Sequence, residues 1–82
     1  MSHWNYRVCK TTYSKGTQDE EVNLAIHEVY YNSKGEINAT TENSVGPSGE
    51  TIEELLKSIE RMRESVNKDV IDLDTIVFAK GD

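Results

Sequence analysis

The stretch GPSGETIEELLKSIERMRESV, Gly46 to Val66, constrains the fold more than any other part of the chain. Its apolar residues Ile52, Leu55, Leu56, Ile59, Met62 and Val66 lie 3, 4, 7, 10 and 14 positions on from the first, which is one stripe along an α-helix. Glu53, Lys57, Glu60, Arg61 and Glu64 occupy the remaining sides, and Glu53 with Lys57 forms a favourable i,i+4 pair. Thr51 and Glu54 read as a capping box that starts the helix, with Ser48 the rival N-cap. Asn67 is a candidate stop, so the spacing predicts a helix over about 52–66. A helix with one apolar stripe must bury it against another layer, and the rest of the chain has to supply that layer.

The pattern before the helix changes to period two. In WNYRVCKTTY, residues 4–13, Trp4, Tyr6 and Val8 share one face and Asn5, Arg7, Cys9 and Thr11 the other. A polar loop, SKGTQDEE, leads to a second strand over about 22–31. There Val22, Leu24 and Ile26 alternate with Asn23, Ala25 and His27, and the pattern breaks at Glu28. Either a β-bulge shifts the register or both faces are partly buried. The second option puts Ala25, Val29 and Tyr31 on an outer face open to another subunit. NSKG is a tight turn with Gly35 suited to positive φ, and 36–41 is a short third strand. The expected fold is α+β: a three-stranded antiparallel meander with one amphipathic helix on the Trp4/Tyr6/Val8 face. The tail, 67–82, carries apolar Ile76, Val77 and Phe78, which could add a fourth strand or pack as an arm on another subunit. The 82 residues form a single small domain, 1–82.

A core this small is thin, and self-association would bury more of it. The chain carries 15 acidic against 9 basic residues, net −6. That sign disfavours direct contact with nucleic acid and makes a basic protein a plausible partner. Cys9 is the single cysteine, which suits a reducing cytoplasm. The N-terminal residues lack a signal-peptide layout, and no apolar run approaches the ~20 residues that span a bilayer.

Candidate chemistry is sparse. GPSGET has the look of a phosphate cradle, but Glu50, Glu53 and Glu54 crowd the helix start and the P-loop lysine is missing. Cys9 and His27 share a face if the two long strands pair near that register, and a Cys–His pair is a nucleophile arrangement; it lacks an evident pocket, oxyanion donors and a third group. His3 and His27 are far apart, and Asp69, Asp72 and Asp74 do not follow a calcium-loop pattern, so no metal or other cofactor is expected and the acidic tail reads as solvated. The aromatics Trp4, Tyr6, Tyr13, Tyr30 and Tyr31 suit core and interface packing. The reading is a non-enzymatic domain acting by protein–protein contact, as a homodimer or with a basic partner. Ala25, His27, Val29, Tyr31, Ile76 and Phe78 are its interface candidates.

WNYRV, IHEVYY and GETIEEL together resemble a family of short uncharacterised bacterial proteins. The likeness covers Trp4 to about Asp72 and brings no activity with it. Three strands followed by a GxTxEE helix start are also similar to the N-terminal domains of HicB-like antitoxins, through Gly49, Thr51, Glu53 and Glu54. That resemblance implies a partial RNase H-like β-β-β-α-β fold without catalytic competence. It also implies oligomerisation and neutralisation of a small basic ribonuclease toxin. The sequence departs from the pattern by lacking a proline- and glycine-containing segment after the second strand. No DNA-binding domain follows the helix.

Overall fold

The computed structural model describes residues 3–80; Met1, Ser2, Gly81 and Asp82, included in the expected domain 1–82, lie outside the described residues. Its elements are β1 (His3–Tyr13), β2 (Glu21–Tyr31), β3 (Ile37–Thr40), α1 (Ile52–Ser65) and β4 (Ile71–Asp72). The fold is α+β, with one sheet in the order β3-β2-β1-β4. β1 pairs antiparallel with β2, β2 antiparallel with β3, and β4 parallel with β1. The expected purely antiparallel three-stranded sheet is therefore corrected to a four-stranded mixed one. The fourth strand is Ile71–Asp72, not the Ile76–Phe78 segment. β3 and β4 run in the same direction at opposite edges, and such a connection needs a long crossover, which the 41–70 segment supplies with α1 inside it.

β1 and β2 stay in register from His3↔Tyr31 to Tyr13↔Glu21. There is no bulge at Glu28, so the break in the pattern marks the stretch where both faces of the strand are at least partly buried. The irregularity lies instead between β2 and β3, at Tyr30/Tyr31. The NSKG turn forms as expected: Gly35 has φ +80°, its N–H donates to Asn32 O at 3.0 Å, and the Asn32 side chain accepts from the Lys34 and Glu36 amides.

The main core sits on the face opposite the one expected. Cys9, Val29, Tyr31 and Ile71 form it, with Ile37, Leu73 and Ile76 packed against them. After β4 the tail crosses this face from the β1 edge to the β3 edge. Leu73 N–H donates to Lys10 O (2.9 Å) at one side, and Ala79 N–H to Ile37 O (2.8 Å) at the other. Asn32 Nδ2 then donates to Lys80 O (3.1 Å). Two of the cluster Asp69, Asp72 and Asp74, read from sequence as solvated, hold this strap. Asp74 accepts from Thr12 N–H (2.8 Å), and Asp72 accepts from Asp74 N–H (2.9 Å) and pairs with Lys10 (3.4 Å). The Asp74 amide, helped by Lys10, holds the Asp72 carboxyl below the usual aspartate range against its desolvation. Its carboxylate form thus favours the fold above the ordinary aspartate pKa, and that contribution is lost as pH falls through the lowered value.

The helix begins at Thr51, whose Oγ1 accepts from Glu54 N–H (3.1 Å), while Glu54 reaches back to the Glu50 amide (2.9 Å). Gly49 lies flat against this first turn. A Cβ there would meet Leu55 N at 2.6 Å and the Glu54 carbonyl carbon at 2.8 Å. Those are backbone atoms and cannot swing away, so Gly49→Ala is expected to cost about 1–3 kcal/mol. A urea midpoint unchanged from wild type would show that the loop yields freely.

Candidate interaction surface

The helix does not bury the stripe that its sequence advertises. Its buried residues are Met62 and Ser65, with Leu55 and Ser58 half-buried. Ile52, Leu56, Ile59 and Val66 remain 81%, 53%, 44% and 61% exposed. At 3.6 residues per turn the buried line is rotated roughly 70° from the centre of the apolar stripe. Small serines make this approach possible. Ser65 is buried with its hydroxyl satisfied by Met62 O, and Ser58 Oγ accepts from Ser48 N–H (3.3 Å).

Glu54, Lys57, Ser58 and Arg61, on one flank of α1, line an open groove of about 810 Å³ with Trp4 and Tyr6. That flank looks toward the start of β1. Ile52, Leu56 and Ile59 lie on another side of α1, outside that groove's lining. In the sheet, β1–β2 register puts Val8 and Ile26, Lys10 and Leu24, and Thr12 and Val22 opposite one another. Leu24 and Val22 are 57% and 59% exposed. Exposed apolar side chains thus stand on one side of α1 and at the start of β2, the latter on the sheet face that carries Trp4, Tyr6 and Val8. The Cα radius of gyration, 14.3 Å, exceeds the ~12 Å of a compact domain this long.

The predicted interface residues lie elsewhere. His27, Val29 and Tyr31 are buried, Ala25 is half-buried, Ile76 packs inside against the core, and Phe78 is exposed. The outer face expected for Ala25, Val29 and Tyr31 is closed because the chain's own tail covers it. Tyr31 donates to Asn5 Oδ1 (2.8 Å), accepts from Arg7 (3.2 Å) and stacks on His3 at 4.7 Å.

Cys9 pairs with Ala25, and His27 pairs with Arg7. The two lie on one face but are not joined. The thiol contacts Arg7 O at 3.8 Å, and His27 Nδ1 lies 3.0 Å from Thr41 O. Burial pushes the Cys9 thiol up, an effect that the nearby Arg7 charge only partly offsets. Cys9 in the folded protein is therefore expected to alkylate more slowly than a free cysteine at neutral pH. Labelling at or above the free rate would contradict this placement. At the helix N-terminus, Thr51 takes the Glu54 amide and Glu54 that of Glu50, and the glutamates there repel a phosphate. Among the described residues, no three His, Cys, Asp or Glu side chains are grouped as metal ligands, and no helix is long and apolar enough to cross a membrane.

Sequence reasoning missed Val22, Leu24, Ile52, Leu56 and Ile59 as surface, because each sits where a core residue would. A geometric signal was present. Strands of 11 residues span about 36 Å, whereas one helix is about 10–12 Å across. A single helix lying over them must leave much of that face bare. No family model matches the chain, and no curated protein or solved structure is significantly similar to it.

Proposed function

We propose that this chain is a non-enzymatic, cytoplasmic domain that acts by binding protein, through the exposed apolar residues of α1 and the start of β2. One observation carries the reading. Ile52, Leu56 and Ile59 on α1 and Val22 and Leu24 on β2 form two exposed apolar strips, and exposed apolar patches are where proteins associate. The test compares wild type with a Leu24→Ser/Leu56→Ser variant by co-purification from the native host and by light scattering. Both residues are exposed, so the thermal midpoint is expected to hold while the association disappears. A variant that keeps every association of the wild type overturns the reading.

The element order favours a more specific version. β-β-β-α-β is the order that the likeness to HicB-like antitoxin N-terminal domains implies, and the net charge of −6 suits a basic toxin as partner. Co-expression with a small basic protein encoded beside this one is expected to relieve that protein's toxicity. Unrelieved growth arrest would remove this version and leave the broader one intact.

A further inference from the structure

Resting on that interaction reading, we infer that the surface takes an amphipathic helix whose flanks carry lysine or arginine. Shape supplies the first argument. Val22 and Leu24 lie bare on the sheet face that α1 covers in part, and helices pack side by side at about 8–10 Å. A second helix laid along Ile52, Leu56 and Ile59 would complete the layer that α1 covers only in part. Those three residues are spaced i, i+4, i+7, the repeat that a neighbouring helix reads.

Charge supplies the second. Glu53 and Glu60 flank the strip one helical repeat apart, exposed and without a hydrogen bond or ion pair among the described residues. Lys10, on the sheet side, is paired with Asp72 at 3.4 Å, and Lys15 also lies within electrostatic reach of Asp72. Arg63 closes the strip only at the last turn. The open rim beside the apolar wall is thus negative. A second copy of this chain fits it poorly. If two α1 helices packed antiparallel about a two-fold axis, the same flank would meet itself, setting Glu53 and Glu60 against their own copies.

The test titrates the full chain with two short helical peptides that share one leucine stripe, flanked by lysine in one and glutamate in the other. The lysine peptide is expected to shift the amide resonances of Leu24, Leu56 and Ile59 and to bind roughly five- to tenfold tighter than the glutamate peptide. Glu53→Lys/Glu60→Lys should reverse that preference. Glu50→Lys/Glu64→Lys makes the same change in net charge on the Trp4 side of the helix and should leave it in place. Equal binding of the two peptides, equal effects of the two charge reversals, or no binding at this surface overturns the inference. A dimer that Leu56→Ser dissolves would also overturn it, since the occupant would then be a second copy. The interaction reading survives each of these results unless the Leu24→Ser/Leu56→Ser variant keeps all its associations.

Discussion

A chain ended after Asp72 is expected to lose its cooperative unfolding transition near 25 °C. The removed strap includes Leu73 and Ile76, which pack on the core formed by Cys9, Val29, Tyr31 and Ile71. It also takes away the bonds from Leu73 N–H to Lys10, from Ala79 N–H to Ile37, from Thr12 N–H to Asp74 and from Asn32 to Lys80. Burying an aliphatic side chain contributes about 1.5–3 kcal/mol, and Val29 and Tyr31 would be uncovered in addition. A domain this small sits toward the low end of the ~5–15 kcal/mol typical of folded proteins, so a loss of several kcal/mol approaches the whole. Near-ultraviolet circular dichroism and urea titration would read it. A truncated chain with the wild-type midpoint would mean that the tail is the solvated appendage its acidity suggests.

Replacing Ile71 by alanine should destabilise the protein by about 2–5 kcal/mol, while Ile52→Ala should change it by less than about 0.5 kcal/mol, as surface substitutions do. Hydropathy ranks the two residues alike, and the helical repeat favours Ile52 as the first member of the apolar stripe. Their environments differ: Ile71 is 8% exposed against Cys9, whereas Ile52 is 81% exposed. Denaturant midpoints of the two variants measure the difference directly. Equal losses would mean that the stripe is buried as a whole, and the proposed binding surface would disappear with it.

Much of the local structure was readable. Period-two alternation marked both long strands to within a residue of their observed ends, because a strand's two faces meet different surroundings wherever one is buried. NSKG and the Thr51–Glu54 cap were legible because turns and caps are satisfied by neighbouring residues. β4 was harder to see. Two residues, Ile71 and Asp72, are too few to carry a period, and their pairing depends on Cys9 and Lys10 some 60 positions earlier. The candidate surface was legible only as its inverse: Val22, Leu24, Ile52, Leu56 and Ile59 stood out as apolar and were assigned to the interior.

The stretch from Gly46 to Val66 shows where the division falls. The sequence by itself determined that it would be a turn, a cap and an amphipathic helix, since spacing and capping are short-range properties of the chain. The three glutamates at the helix start also speak, from sequence alone, against a phosphate cradle there. Which side of the helix meets the sheet was decided only by tertiary structure. The strap that follows β4 occupies the face where Cys9, Val29 and Tyr31 lie, and α1 settles on the other face through Met62 and the small Ser65. An apolar stripe states a preference for burial, but how much of it is buried depends on the area opposite, and one helix cannot cover strands about three times as long as it is wide.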